Sequence, residues 1–398
     1  MYHFRLFQEP AELEQSGWQD FVQRHAAHDL ADLAFLRAIH ASLSSADRCF
    51  FALFFDAQQQ CVACAVLSLF NWDPLNVPGA KRQRLLRSIR RIWPGFLKLP
   101  LLLCGPPVSL GSNLLVVHNQ VDGDALAETL KNALEQVGRQ CRCSLHMVTE
   151  SAPEQLPLLG KLTNYGYQLA PSPPYYYFPS KFRRFSDYCQ ALQAKYRANV
   201  RRAQQHFLQS GFAISHLSKA QLFDAFGPDL YQLYLAVVKK SAYRFEVLEH
   251  DFFQQLIRHQ SDRLLLTLAV KEERTVGFML SLFSHKRFYL LFAGLDYQAN
   301  RQTNVYYNLV YAAIEQALEK GPFDSIHVGQ AADTFKARLG CQAVPMTLLL
   351  KARTRLGRIL LDWFGQDMLT SPPPQPNYRV FKVSDNRHFH SHVGGKDE

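Results

Sequence analysis

Long apolar runs are missing from this chain, and no stretch approaches the ~20 residues that a membrane-spanning helix needs. The opening segment MYHFRLFQEPAELEQ is interrupted by acidic residues where a secretory signal would be continuously apolar. Together these absences predict a cytoplasmic protein. Metal-ligand spacing is equally scarce. Cysteines stand at 49, 61, 64, 104, 141, 143, 189 and 341, mostly inside apolar segments, as buried free thiols of a reducing compartment do. Cys61 and Cys64 form a C-x-x-C, but the surrounding CVACAVLSLF reads as a strand and no second pair follows at zinc spacing. His388, His390 and His392 alternate in a polar tail without acidic partners, so no metal site is expected.

Acidic residues are outnumbered, 34 against 44 Lys and Arg, giving a formal net charge of +10. Two basic runs, residues 81–91 and 181–202, concentrate the excess and suit an anionic partner. Apolar residues make up 47% of the chain and aromatics 13%, enough to bury substantial cores. At 398 residues the chain is long for one core and suits two domains.

Short apolar runs alternate with segments of helical period, which predicts mixed α/β architecture. In the first half, residues 49–55 and 61–70 read as a hairpin. Strands at 101–104 and 114–117, a helix at 124–137, a strand at 144–149, a short helix at 154–162 and a strand at 165–178 follow. Pro171, Pro173 and Pro174 should restrict that last strand to an edge or an irregular stretch. The second half repeats the order: a hairpin of 264–270 and 276–283, a strand at 288–292, a helix at 303–320, a strand at 325–328, a short helix at 333–339 and a strand at 343–350. Each half closes on a short helix carrying Lys, then Gly, then an apolar strand, once as LLGKLTNYGYQLAP and once as TFKARLGCQAVPM, which suggests an old internal duplication. Between the halves, residues 186–259 read as helical. Their best element spans 195–209, with Tyr196, Val200, Ala203 and Phe207 as its apolar stripe, Arg197 and Arg201 on another face, and Gly211 placed for a left-handed cap. A helix at 355–364 and a proline-rich break at 371–376 lead into the tail. The domains are therefore expected at 1–180, 181–353 and 354–398.

With this order in place, KYRANVRRAQQHFLQSG, then FAGLDYQANRQTNVYYNLVYAAIEQALEKG and FDSIHVGQAADTFKARLG, resemble the GNAT superfamily of acyltransferases. Within it the chain resembles the Fem-type peptidoglycan aminoacyltransferases and looks still more like their broad BioF2-like or FemAB-like acetyltransferase relatives. The resemblance is strongest over residues 195–351 and extends to the first half only in element order. It implies a bacterial transferase with tandem GNAT-like domains of α/β (mixed-sheet α+β) type joined by a helical connection. It further implies an N-acyltransferase moving an acyl or aminoacyl group from acyl-CoA, an acyl carrier protein or aminoacyl-tRNA to a small-molecule or lipid-linked amine. A binding module for glycan or RNA that has lost catalysis is the second reading.

The GNAT phosphate loop places small residues at a helix N-terminus so that backbone amides reach a pyrophosphate. Its counterpart here would be Arg301, Gln302, Thr303 and Asn304, followed by Val305 and Tyr306, so both small positions are replaced. Tyr306 should crowd a CoA pocket. Direct acyl transfer needs a base for the incoming ammonium, and His327, on the strand before the loop 329–332, is the first candidate, with Asp333 and Asp296 as alternatives. Asp333 also reads as the N-cap of the short helix. Lys336 and Arg338 would face a phosphate, a substrate carboxylate or solvent. Arg197, Arg201 and Arg202 would meet a donor or acceptor phosphate. Tyr175, Tyr176 and Tyr177 read first as strand packing. The segment RQRLLRSIRRIWPGFLKLPLLL, residues 82–103, combines basic and apolar residues in a way that suits peripheral contact with an anionic membrane.

Overall fold

A computed structural model describes residues 2–25, 29–43, 48–73, 75, 80–241, 247–359, 361 and 378–382. The chain opens with strand β1 (His3–Phe7), helices α1 (Trp18–His25) and α2 (Leu33–Ala41), and strands β2 (Arg48–Phe55) and β3 (Cys61–Trp72). Helix α3 (Ala80–Arg90), strands β4 (Leu99–Cys104) and β5 (Val116–Val117), helix α4 (Gly123–Gln140), strand β6 (Leu145–Ser151), the single turn α5 (Leu156–Leu159) and strand β7 (Gln168–Phe178) follow. Next come α6 (Phe185–Ala191), α7 (Ala194–Gln209), β8 (Ala213–Ser218), α8 (Gln221–Ala225), α9 (Pro228–Lys240) and α10 (His250–Gln260). The remainder runs β9 (Leu264–Lys271), β10 (Arg274–Phe283), β11 (Arg287–Leu295), α11 (Tyr297–Thr303), α12 (Val305–Lys320), β12 (Ser325–Gly329), α13 (Asp333–Arg338) and β13 (Gln342–Ala352).

These elements form two compact units that interleave along the chain. One comprises Met1–Pro174, Ser218–Leu264 and Pro345–Pro373, the other Tyr175–Leu217, Leu265–Val344 and Pro374–Glu398. The helices at 218–264, read from sequence as a lead-in to the second half, thus belong to the first unit, where α10 packs on α2 and Arg263 pairs with Asp32 at 2.7 Å. The stretch 186–259, expected to be helical, also contains a strand, β8, which lies almost wholly in the second unit.

In the first unit the predicted hairpin of β2 and β3 is antiparallel over its length. Its turn forms because Asp56 Oδ1 accepts the amides of Gln58 and Gln60 at 2.9 and 2.8 Å. Strand β3 then pairs antiparallel with β4, and β4 pairs parallel with β6, which pairs antiparallel with β13. Asp122 caps α4 through the amides of Asp124 and Ala125, and Leu126, Leu130 and Leu134 recur at helical spacing to cover one face of this sheet. Phe70, Trp72, Leu101, Met147 and Leu350 form the core on the other face. A loop from Gly105 follows β4, and the buried Glu150 carboxylate holds it. That carboxylate accepts the Ser109 hydroxyl and the amides of Leu110, Gly111 and Ser112, the last three at 3.0, 2.9 and 3.3 Å.

In the second unit the end of β7 pairs antiparallel with β12 from Tyr176 to Phe178, just after the last of the three prolines, through which the strand continues unbroken. Strand β12 pairs parallel with β11, and β11 antiparallel with β10, with a bulge between Leu280 and Ser281. Helix α12 packs on β10 and β11. Gly277 permits this close approach, since a Cβ there would lie 3.0 Å from Val305 Cγ1 and 3.1 Å from Leu309 Cδ1. On its other side α12 meets α7, whose stripe residues Val200, Ala203 and Phe207 are buried, and Gly211 closes α7 at φ 79° as expected. The helix expected at 303–320 is α12, and a further helix, α11, precedes it across a turn at Asn304 with φ 55°. Of the expected helix at 355–364, residues 355–359 and 361 are helical and the rest lies outside the described residues, as do the break at 371–376 and the tail histidines.

Candidate functional site

The site is assembled where β11 and β12 stop pairing. Their parallel ladder covers Arg287 to Tyr289 against Ser325 to His327 and then ends, although β11 continues to Leu295. After β12 the chain bends through a cluster of left-handed residues, Gly329 at φ 77°, Ala331 at 62° and Ala332 at 56°. Two of these are alanines, and such unfavourable conformations persist only where the surroundings over-determine them. The bend starts α13 with Ala332 as N-cap, so Asp333 is the first helical residue and not the cap that its sequence position suggested.

The bend returns Lys336 to the interior. It is 1% exposed, which corrects the reading of a solvated helix face. Its Nζ donates to the Gln330 carbonyl at 2.6 Å and lies 5.3 Å from the centre of the Tyr176 ring. Burial lowers this amine from its ordinary 10.5 to about 7, against the opposing pull of Cys341 and Asp333. An amine near neutrality can exchange a proton at physiological pH without a partner histidine. The neighbouring Cys341 thiol is pushed up to about 12 by burial, so it is neutral.

Next to Lys336 in sequence, Phe335 stacks on Tyr307 with ring centres 3.9 Å apart and planes 4° from parallel, and this fastens α13 to α12. Phe335 also forms a wall of a cavity of about 570 Å³ between α7, the start of α12 and α13. Asn199, Arg202 and His206 line it from one face of α7, Tyr307 and Tyr311 from α12, and Arg338 from α13. The Arg338 guanidinium sits 5.6 Å over the Tyr378 ring. Aromatic faces, side-chain amides and two arginines give this cavity the chemistry that receives bases and phosphates of a nucleotide. On the opposite face of α7, a second cavity of about 580 Å³ is lined by Arg201, His216, Asn308 and Glu315.

The sequence-chosen residues are distributed differently from expectation. His327 is 1% exposed, its Nε2 is 2.9 Å from Ser325 Oγ, and the rings of Tyr175, Tyr177 and Tyr289 surround it at 5.6, 4.7 and 4.2 Å. Asp296 uses one oxygen to cap α11 through the amides of Gln298 and Ala299 and the other to pair with Arg274 at 2.9 Å. None of His327, Asp296, Asp333 and Lys336 lines the cavity walled by Phe335. Arg197 and Arg201 do not act as one face, because Arg197 Nη1 turns to the carbonyls of Leu192 and Gln190 at the end of α6, at 3.1 and 3.4 Å. Arg202, one residue further, reaches the cavity instead. Phe335, Tyr307 and His206 were not singled out, although the helical spacing of 199, 202 and 206 and of 307 and 311 is the signal that would have placed them.

The phosphate loop is not formed by the expected residues. Arg301, Gln302 and Thr303 belong to α11, and Thr303 donates within it to the Ala299 carbonyl at 3.0 Å. Asn304 supplies the left-handed turn. The amide of Tyr306, in the first turn of α12, donates to Asn300 Oδ1 at 2.8 Å, so a donor that a pyrophosphate would need is already used. The Tyr306 ring lies 5.5 Å from Phe335, and burial raises its hydroxyl pKa. The helix start therefore does not fit a CoA pyrophosphate in the GNAT manner.

Comparison with known proteins agrees with this frame. No curated protein sequence matches the chain. A tandem GNAT protein from the clavulanic acid biosynthesis pathway superposes with TM-score 0.55 at 11% identity, covering 88% of this chain and 98% of that one. FemX superposes with TM-score 0.54 at 11% identity over 91% of this chain and 100% of that one. The C-terminal domain of a lysylphosphatidylglycerol synthetase from Agrobacterium fabrum gives 0.51 at 11%, over 93% and 100%. These likenesses establish the tandem GNAT-type fold expected from sequence. Residues 98–364, more than half of the chain, match the FemAB-like model of peptidoglycan biosynthesis and recognition, and the protein belongs to that family.

Proposed function

We propose that the protein is an aminoacyltransferase that moves an aminoacyl group from the ester of an aminoacyl-tRNA to an amine of a peptidoglycan precursor, with Lys336 as its proton-transfer residue. The observation that carries this reading is the buried Lys336 amine of α13, lowered to about 7 and bonded to the Gln330 carbonyl of the bend that follows β12. Membership of a peptidoglycan biosynthesis and recognition family supports the acceptor. Likeness to a lysylphosphatidylglycerol synthetase domain supports an aminoacyl group as cargo. An RNA donor is favoured over acyl-CoA because the Tyr306 amide is spent on Asn300, whereas the cavity walled by Phe335 offers Arg202, Arg338 and the tyrosines of α12 to a terminal nucleotide.

In this mechanism neutral Lys336 takes one proton from the acceptor ammonium, and the freed amine attacks the ester carbonyl. The new C–N bond forms as the C–O bond to the ribose breaks. Lys336 returns its proton to the departing ribose oxygen, and the second nitrogen proton leaves to water. A positioned base of this kind contributes about 10²–10⁴-fold. The test is transfer of labelled amino acids from a mixed aminoacyl-tRNA pool to a muropeptide precursor, beside a panel of acyl-CoAs followed by thiol release. Transfer should occur from tRNA alone, and Lys336→Met should lower kcat by at least about 10²-fold with KM little changed. Thiol release from acyl-CoA that survives Lys336→Met would overturn both the donor and the role of the lysine.

A further inference from the structure

Helix α3 and the turn that follows it are not used by the proposed reaction, and they expose what folded proteins usually cover. Leu86 is 3% exposed and seats the helix on the first unit. Leu85, Ile92 and Trp93 are 57%, 90% and 65% exposed. Around them Arg84, Arg87 and Arg91 are exposed, with Gln83 and Ser88 between them along a shallow depression. Residues 80–104 contain no aspartate or glutamate, so nothing on this segment neutralises the arginines.

The tip is held outward by its own bonds. Arg90 turns inward, where Nη1 meets both Asp73 oxygens at 2.8 and 2.7 Å and Nε donates to the Phe96 carbonyl at 2.8 Å. Backbone bonds from Ile92 and Trp93 to the Ile89 carbonyl and from Phe96 to the Trp93 carbonyl, each 3.0 Å, close successive turns. The Trp93 and Phe96 rings are 5.6 Å apart. An aliphatic tip braced in this way, with an indole beside it and arginines behind it, is not a solvated helix end.

We propose that this tip docks the protein on an anionic lipid bilayer, with Ile92 and Leu85 entering the acyl boundary, Trp93 at headgroup level, and Arg84, Arg87 and Arg91 against lipid phosphates. Each part has a place there: indoles favour the interface, exposed aliphatics gain by leaving water, and arginines near an anionic leaflet are attracted to it. An RNA strand would use the arginines but leave Ile92 in water. A second copy docking symmetrically would set like charges face to face.

The experiment is sedimentation of the full chain with vesicles of phosphatidylcholine alone or mixed with phosphatidylglycerol, at low and high salt, with Trp93 emission recorded in parallel. Binding to the mixed vesicles that weakens with salt, with a blue shift that Trp93→Phe removes while binding remains, is the expected result. Ile92→Ser with Trp93→Ser, and separately Arg84→Gln with Arg87→Gln and Arg91→Gln, should each weaken binding about tenfold or more. All these residues are exposed, so circular dichroism should be unchanged. Absence of binding, or binding indifferent to the Ile92 and Trp93 changes, overturns the proposal. So does salt-sensitive tRNA binding lost with the three arginines when vesicles do not bind, or self-association abolished by Ile92→Ser with Trp93→Ser.

Discussion

At Lys336, loss of hydration couples the proposed chemistry to stability. In the unfolded chain the amine keeps its ordinary value of 10.5, while in the folded chain it titrates at about 7. Between those values the unfolded state binds more protons, so this group makes stability rise with pH across that window, and below about pH 7 the penalty of burying its charge is felt in full. Urea unfolding should therefore find Lys336→Met more stable than the parent at pH 6, with the gap closing towards pH 10. The transfer rate of the parent should rise through about pH 7, as the neutral amine forms, and this inflection should vanish in the variant. A stability gap that does not change with pH would mean that the amine keeps its ordinary value in the folded protein. His327 shows the converse lesson. Its alternation with Ile326 and Val328 was visible in the sequence, but the three tyrosine rings around it come from β7 and β11, far away in the chain.

At the scale of elements, the junction of α11 and α12 is what the proposed choice of donor rests on. The motif alignment places Arg301 to Asn304 in a loop, yet Asp296 caps a helix that runs through Arg301 to Thr303, and Asn304 alone makes the turn. Asn300 then reaches across that turn to the Tyr306 amide. Asn300→Ala should destabilise the fold by about 1 kcal/mol, the usual effect of removing a side-chain cap from a helix start, as read from the thermal midpoint. It should not create acyl-CoA binding by calorimetry, because the Tyr306 ring still occupies the place of a small residue. Tight CoA binding by this variant would show that the Asn300 bond alone closed the site. The sequence revealed the loss of both small residues but not the bond to Asn300, since a hydrogen bond across a left-handed turn has no periodic signature.

At the scale of the whole chain, interleaving governs what can be separated. A boundary at residue 180 is natural from the repeat of element order, yet β12 takes its antiparallel partner from Tyr176 to Phe178. The second unit begins at Tyr175 and also draws on Pro374–Glu398, where Phe381 covers Gly340 and Val380 accepts the Gln193 amide at 2.9 Å. A fragment of residues 181–353 should therefore lack a cooperative unfolding transition and be cleaved rapidly by protease under conditions where the full chain resists. A cooperative transition in that fragment would show that β12 needs neither segment.

From residue 48 onwards the sequence by itself determined most of the elements and their order, β8 and α11 being exceptions: strand and helix periods, the hairpin of β2 and β3, the cap at Gly211, the paired closing phrases and the lost small residues of the phosphate loop. These are local properties, set by side-chain spacing and backbone preference within a few residues. The tertiary structure decided which side chains meet. It buried Lys336 under a bend of left-handed residues, enclosed His327 in tyrosines, turned Arg197 away from the cavity that Arg202 enters, and left Ile92 and Trp93 in water. Whether a charged group is hydrated or confined depends on atoms contributed by distant segments, and only packing brings those together.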